Sequence, residues 1–282
     1  MLATLVIVFR EVIEAGLIVG IVLAATKGVT GRGFWVSLGI LGGVLGACIV
    51  ALFASQIAGL FQGSGQEIFN ASILFAAVVM LAWHNAWMAS HGKDMARQMQ
   101  AVGGAVAAGR RPLTALAIVV GVAVLREGSE IVLFLYGIAS AGGESAGAMV
   151  LGGILGIFCG AGLSALMYFG LVAIPMRRLF AVTTALITLL AAGMASQAVN
   201  FLQQAGYFPG LADPLWDTSG LLSEGSIPGR LLHSLIGYSD SPTGAQLIAY
   251  LATIAVIAIL MRLVGTRRTP APGSLAKTAP GA

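Results

Sequence analysis

Charged residues are scarce in this chain: Asp, Glu, Lys and Arg make up only 9% of its 282 residues. Soluble globular domains carry about 25% charged residues, so this scarcity excludes a soluble fold. The hydrophobic fraction of 58% and the mean hydropathy of +0.94 indicate an integral membrane protein. We therefore predict an all-α chain of transmembrane helices, and its 39 glycines are typical of helices that pack closely in a bilayer.

Histidine and cysteine are also rare, with three and two residues. Only His84 falls deep in an apolar segment, so the chain lacks the histidine pairs of a haem-binding membrane subunit and the copper ligands of an oxidase. A membrane enzyme, or an anchoring subunit of a redox complex, is therefore disfavoured. Cys48 and Cys159 lack the spacing of a disulfide or metal site, and we predict that they are buried small hydrophobic residues.

Seven apolar segments are long enough to cross a bilayer, which takes about 20 helical residues. They cover residues 2–25, 34–60, 68–90, 113–140, 147–170, 178–205 and 244–263. We predict one transmembrane domain over residues 1–265. Residues 266–282 are rich in Pro, Ala and Gly, and we predict that they form a disordered cytoplasmic tail.

Basic residues outside the motifs described next fall almost entirely at alternate ends of these segments. The first, third and fifth loops and the C-terminal tail hold Lys27, Arg32, Lys93, Arg97, Arg110, Arg111, Arg177, Arg178, Arg262, Arg267, Arg268 and Lys277. The other loops hold only Arg230. Because cytoplasmic loops carry the excess of Lys and Arg, we predict a periplasmic N-terminus and a cytoplasmic C-terminus. The formal charge of +4 thus reflects topology in the lipid bilayer, and no nucleic acid partner is implied.

Two copies of one charged pattern, R-E-x-x-E, interrupt the first and fourth apolar segments. The copies are Arg10–Glu14 and Arg126–Glu130, 116 residues apart. A charged side chain at the bilayer centre costs roughly 2.5–3.5 kcal/mol on insertion scales, so intramembrane ionisable residues are generally functional. Two copies at matched depth therefore indicate a site.

The two copies lie in the first and fourth spans, an offset of three. Because three is odd, these two spans cross the bilayer in opposite directions, and the second half must be inverted relative to the first. We predict one repeat at about 1–91, a second at about 113–205, and the span at 244–263 outside the repeat. Shorter echoes are Leu38-Gly39 with Leu151-Gly152, and His84-Asn85 with Ser196-Gln197. Inverted repeats with a site at their midplane interface are typical of transporters.

The spacing of the motif places its charged side chains on one side of a helix. Glu14 lies about 60° from Glu11 and about 40° from Arg10 around the helix axis. If the two motifs face each other, four carboxylates and two guanidiniums meet with a net charge of about −2, and carboxylates bind hard cations. The arginines would hold the carboxylates through charge-assisted hydrogen bonds. A purely structural ion pair would leave the second glutamate of each copy uncompensated in lipid.

These features resemble the oxidase-dependent iron permease family, which includes the fungal high-affinity iron permeases and their bacterial relatives. The second motif, Arg126–Glu130, is similar to the family's Arg-Glu-Gly-Leu-Glu, and the first has Val12 where glycine is usual. The segment Pro214–Ser219, followed by Gly237-Tyr238, resembles the family's last outer loop. The resemblance covers about residues 1–265.

The resemblance implies an inner-membrane permease that imports iron and works with a separate periplasmic oxidase or iron-binding protein. It implies iron as the transported substrate and no permanently bound cofactor. The glutamates that it assigns to metal binding are Glu11, Glu14, Glu127 and Glu130, with Arg10 and Arg126 as the motif arginines. Another cation, such as Mn²⁺, Pb²⁺ or a proton, is the alternative substrate for the same carboxylates.

Several polar residues outside the motifs are candidates for accessory roles. His84 and Asn85 in the third segment are a possible extra ligand or proton relay, or are satisfied by a neighbouring helix. Glu67, at the outer end of that segment, is either a cation attractant or a solvated helix-start carboxylate. Gln197 and Asn200 in the sixth segment suit either pore lining or hydrogen bonding between helices.

Overall fold

The computed structural model describes residues 1–59, 66–142, 144–171 and 176–266. The helices in these ranges are α1 (Leu2–Ala25), α2 (Arg32–Gly59), α3 (Gln66–Ala107), α4 (Thr114–Ala141), α5 (Ala146–Tyr168), α6 (Met176–Gln204), α7 (Ile227–Ile236) and α8 (Gly244–Thr266). A 3₁₀ turn at Pro209–Leu211 precedes α7. The predicted all-α class is confirmed. Residues 267–282, most of the predicted disordered tail, lie outside the described ranges.

Within the described ranges, five helices are long and apolar enough to cross a membrane. These are α2, α3, α5, α6 and α8, with spans at Arg32–Ala54, Gln66–Met88, Ala146–Tyr168, Arg178–Gln204 and Gly244–Val264. Helices α1 and α4 have 24 and 28 residues, which is also sufficient, but each carries the three charged residues of a motif. All seven predicted segments are helical, whereas composition alone marks five of them as spans.

Glycines bring α5 against α1 and α2 against α4. A Cβ atom on Gly156 of α5 would lie 2.8 Å from Cβ of Val8, and one on Gly43 of α2 would lie 2.7 Å from Cβ of Val124. No real side chain tolerates such distances, so only glycine permits these helices to approach so closely. Val8 and Val124 are 116 residues apart, which is the interval between the two motifs.

The preceding turn of each helix repeats the same arrangement. A Cβ atom on Gly152 would lie 3.2 Å from Cβ of Thr4, and one on Gly39 would lie 3.1 Å from Cβ of Val120. Thr4 and Val120 are again 116 residues apart. Helix α1 therefore packs on α5 in the same register in which α4 packs on α2.

Helices α1 and α4 run in opposite directions. Near the start of α1, the Thr4 hydroxyl donates a hydrogen bond of 2.7 Å to Glu144, which follows the end of α4. Near the end of α1, Val22 belongs to an apolar cluster with Leu116 and Val120 from the start of α4. The middles of the two helices, which carry the motifs, therefore lie at the same level.

Helix α3 is longer than the predicted span. It continues beyond the predicted span at 68–90 through residues 91–107. These residues are mostly Ala, Met, Gln, Arg and other helix-compatible types, and the next proline is Pro112. Hydropathy marks where a helix leaves the membrane, but it does not mark where the helix ends.

The segment between α6 and α8 folds onto itself. The Ser226 hydroxyl caps the start of α7 by accepting from the Gly229 amide at 3.1 Å, and Gly237 ends the helix with a φ of +68°. Tyr238 then donates its hydroxyl to the Leu222 carbonyl at 2.8 Å. These hydrogen bonds thus join residues of the segment to one another.

The prediction that Cys48 and Cys159 are buried is wrong, because both side chains are exposed on the helix surface. A transmembrane helix is apolar towards lipid as well as towards protein. An apolar sequence context therefore does not tell which face a cysteine occupies.

Candidate metal site between α1, α3 and α4

The two motifs meet where α1 crosses α4. Carboxylate oxygens of Glu11, Glu127 and Glu130 lie within 4.8 Å of one another. Glu11 and Glu127 are buried, with 0% and 3% of their surfaces exposed. Three carboxylates this close repel one another strongly away from water, so the arrangement requires compensating positive charge.

Each arginine compensates its own motif in the same way. Arg10 Nε donates to Glu14 Oε1 at 3.0 Å, and Arg126 Nε donates to Glu130 Oε1 at 3.1 Å. In each motif the glutamate next to the arginine is farther away, at 3.9 Å from the nearest guanidinium nitrogen. The last glutamate of each motif thus has one oxygen held by arginine, and its second oxygen remains directed elsewhere.

His84 of α3 lies between the two motifs. Its Nε2 atom is 3.6 Å from Glu14 Oε2 and 3.9 Å from Glu11 Oε2. Its Nδ1 atom contacts Glu130 Oε2 on the other motif. The ring is buried and is held edge-on to Phe134, with centroids 6.4 Å apart. Ligand atoms of Glu11, Glu14 and His84 also lie within 4.8 Å of one another.

The same helix contacts both arginines, but through different side chains. Arg10 Nη1 donates to the Asn85 side-chain oxygen at 2.9 Å. The guanidinium carbon of Arg126 lies 4.2 Å from the centroid of the Trp87 ring, a cation–π contact. Sequence reasoning singled out His84 and Asn85 but missed Trp87. The available signal was its position one helical turn after His84.

Several buried carboxylate oxygens in this cluster lack a hydrogen-bond partner in the part of the chain that the structure describes. Among the described residues, no hydrogen-bond partner contacts either oxygen of Glu11 or the Oε2 atom of Glu127. Buried polar atoms without partners are costly and rare, and they generally mark a functional site. Four carboxylates and two guanidiniums carry a formal charge of about −2, which favours a cation. Oxygen donors with one imidazole suit a transition metal ion such as iron.

Residues 1–267 match the model of the iron permease FTR1 family. The chain belongs to this family. It is similar to the ferrous iron permease EfeU of Yersinia pestis, with 31% identity over 261 residues that cover 91% of this chain and 92% of the relative. It is also 31% identical to the EfeU proteins of Escherichia coli O157:H7 and Shigella sonnei over 249 residues. In each case the match covers 86% of this chain and 89% of the relative. No solved structure matches.

Family membership makes this protein a multi-pass membrane permease for iron, and a transporter instead of an enzyme. The family match over residues 1–267 includes helices α1 to α8. It therefore includes both motifs and the residues of α3 that contact them.

The remaining candidate residues of the permease are Glu67, Gln197 and Asn200. Glu67 is exposed in the first turn of α3. Asn200 donates to the Gln197 side chain at 3.1 Å, and Gln197 lines a separate small cavity with Glu144 and His233. Asn85 accepts from Arg10, whereas Gln197, its counterpart in the echo, accepts from Asn200, so these two amides have different partners.

Proposed function

We propose that this permease imports iron, carried as Fe²⁺, through the cluster of Glu11, Glu14, Glu127 and Glu130. The observation that carries the proposal is the convergence of two motifs with free, buried carboxylate oxygens in a member of an iron permease family. Ferrous iron is supported by the relatives, which are named ferrous iron permeases. Iron enters the chain as substrate, and we propose that no cofactor is permanently bound.

The architecture that we propose is seven spans in one domain over residues 1–265, with an inverted repeat of three plus three helices and α8 as the seventh span. Two observations support it: the opposite directions of α1 and α4, and the equivalent packing of α1 on α5 and of α4 on α2. The N-terminus would be periplasmic and the C-terminus cytoplasmic in the inner membrane, as the distribution of basic residues favours.

We also propose a separate periplasmic oxidase or iron-binding protein as the delivery partner. The chain has only three histidines and two cysteines, which is too few for a copper oxidase of its own in addition to the cluster. Uptake from ferric citrate that requires a second periplasmic protein, alongside direct uptake of Fe²⁺, would support this partner.

Transport by the purified permease tests the proposal. The full chain is reconstituted into liposomes that contain a fluorescent Fe²⁺ chelator, and Fe²⁺ is added outside under anaerobic conditions. We expect quenching with wild type and none with the Glu11→Gln, Glu127→Gln double variant. Mn²⁺ and Pb²⁺ in tenfold excess should compete poorly. Equal quenching by both proteins, or import of Mn²⁺ or Pb²⁺ in preference to Fe²⁺, would overturn it.

A further inference from the structure

Two sets of ligand atoms lie side by side in the cluster, and both contain Glu11. The first set is Glu11, Glu14 and His84, which offers oxygen and nitrogen donors. The second set is Glu11, Glu127 and Glu130, which offers oxygen donors only. Glu11 is fully buried, and within the described ranges neither of its oxygens has a hydrogen-bond partner.

We propose that these sets are two successive positions of one iron ion, and that Glu11 stays bound while the ion moves from one to the other. The proposal rests on the function proposed above and assigns separate tasks within the cluster. His84 is a ligand of the first position, called here the mixed position. Glu127 is a ligand of the second, called here the oxygen position.

Charge limits the cluster to one divalent ion at a time. Four carboxylates and two guanidiniums give about −2 with a neutral imidazole, so a single Fe²⁺ brings the buried cluster to about zero. Two such ions would leave an excess of about +2 in a largely buried site, which is unfavourable. Because the charge permits only one divalent ion, the two adjacent ligand sets are alternative positions for that ion and do not form a two-metal centre.

The His84 ring couples the two positions through Glu130. A histidine that binds metal through one nitrogen generally donates the N–H of the other to a carboxylate or carbonyl oxygen. Here Nδ1 contacts Glu130 Oε2, and Nε2 is directed towards Glu14 and Glu11. Glu130 Oε1 is already held by Arg126 at 3.1 Å. Glu130 therefore has one oxygen to offer, either to His84 or to the ion.

An ion in the mixed position leaves that oxygen on His84, which keeps Nε2 available as a ligand. An ion in the oxygen position takes the oxygen from His84, which removes the support of the first position. Occupancy of one position thus weakens the other, and Glu11 bridges them during the step. This coupling lets a buried ion advance without leaving its ligands for lipid or water.

Binding by single variants separates two positions from one. The full chain is placed in lipid nanodiscs, Fe²⁺ is titrated anaerobically, and bound iron is counted by mass spectrometry while iron X-ray absorption reports imidazole ligation. We expect one ion per chain for wild type. Glu127→Gln should still bind one ion within about tenfold of the wild-type affinity and with an imidazole ligand. His84→Ala should bind one ion without that ligand.

The shared and the combined variants complete the test. Glu11→Gln and the His84→Ala, Glu127→Gln double variant should each bind at least a hundredfold more weakly than wild type. Both single variants should lose at least tenfold in liposome uptake, because each retains a position but not the transfer. His84→Gln, which keeps a polar side chain, replaces His84→Ala if the latter does not assemble. Asp94→Asn is the matched control, because the Asp94 carboxylate is exposed and is paired with Arg97 at 3.4 Å.

Three results would overturn the proposal: two ions bound per wild-type chain, no imidazole ligand in Glu127→Gln, or loss of binding in Glu127→Gln as severe as in Glu11→Gln. The last result would mean that all four glutamates form one site. Each of these can occur while wild type still imports Fe²⁺, and the proposed function would then stand. A wild-type protein that neither binds nor imports Fe²⁺ would overturn both.

Discussion

Arg126 lies over the face of Trp87, with its guanidinium carbon 4.2 Å from the ring centroid. Its counterpart Arg10 instead donates to the Asn85 side chain and is almost fully enclosed, with 2% of its side chain exposed against 32% for Arg126. The two motifs are therefore equivalent in their own hydrogen bonds but are supported differently by α3. The less enclosed arginine depends on an aromatic face for its position.

Replacing Trp87 should consequently lower the rate of iron transport, because Arg126 would lose the contact that positions it. A cation–π contact contributes about 0.5–2 kcal/mol, which corresponds to roughly a twofold to thirtyfold effect. We expect Trp87→Leu to lower the rate of iron uptake within that range at limiting iron, and Trp87→Phe to retain most of it. Trp83→Leu is the control, since Trp83 lies one turn earlier on α3 with 70% of its surface exposed. Equal losses at both tryptophans would contradict a specific role for the contact.

Each of the four glutamates should be necessary for transport. We expect Glu→Ala at Glu11, Glu14, Glu127 or Glu130 to abolish iron uptake while the protein still reaches the membrane. Glu→Asp should also be severely impaired, because it withdraws the carboxylate by about 1.5 Å whereas metal–ligand distances tolerate about 0.2 Å. Radioactive iron uptake by cells, normalised to membrane protein on an immunoblot, measures this. Near-normal uptake by any Glu→Ala variant would show that this carboxylate is structural.

Lysine should not replace the motif arginines. Arg10 uses Nε for Glu14 and Nη1 for Asn85 at once, at 3.0 and 2.9 Å, and a single ammonium cannot reproduce that fork. We expect Arg10→Lys and Arg126→Lys each to lose most iron uptake with unchanged expression. If the arginines served only to balance charge, the lysine variants would transport normally and only Arg→Ala would fail. Near-wild-type uptake by the double lysine variant would refute a positioning role.

The glycine contacts between helices predict that alanine substitutions at neighbouring glycines change the stability of the protein differently. We expect Gly156→Ala to lower the free energy of unfolding by about 1–3 kcal/mol, because its methyl group would overpack against Val8 of α1. Gly153→Ala should be neutral or stabilising by up to about 1 kcal/mol, since nothing lies within 4 Å of its Cβ position. Thermal unfolding in detergent, followed by loss of monodisperse protein, compares the two. Equal Tm values would contradict this packing of α5 on α1.

The matching pair in the other half is Gly43→Ala and Gly42→Ala. A Cβ atom on Gly43 would contact Val124 of α4, whereas nothing lies within 4 Å of one on Gly42. We expect the same order of stability as for the first pair, since α4 packs on α2 in the register in which α1 packs on α5. A destabilising effect confined to one pair would argue against equivalent halves.

Reporter fusions test the proposed topology. We expect a fusion after Arg111 or Thr266 to report the cytoplasm, and one near Asp217 to report the periplasm, because the basic residues cluster at the first two positions. Alkaline phosphatase and green fluorescent protein, which are active on opposite sides of the membrane, give complementary signals. A cytoplasmic signal near Asp217 would contradict both seven spans and the inverted repeat.

The sequence predicted the seven long helices to within a few residues, apart from the extension of α3, but it did not predict the short helix α7. It also identified the six charged motif residues that the structure brings together. Long apolar segments and charges at the bilayer centre are strong signals because each carries a large free-energy cost or gain in lipid. The prediction that Cys48 and Cys159 are buried was wrong. Their environment depends on which face of a helix meets protein, and uniformly apolar segments carry little periodic signal for that.

What the sequence alone determined was the kind of molecule: helices set by hydropathy, and a pair of motifs whose charges cannot remain in lipid without a function. Only the tertiary structure decided how these parts meet. Whether α3 or α6 reaches the glutamates depends on packing across long sequence separations, such as the 75 residues between Arg10 and Asn85. The contacts of His84 with both motifs, and of Trp87 with Arg126, arise from that packing, because no local pattern specifies which helix lies beside which.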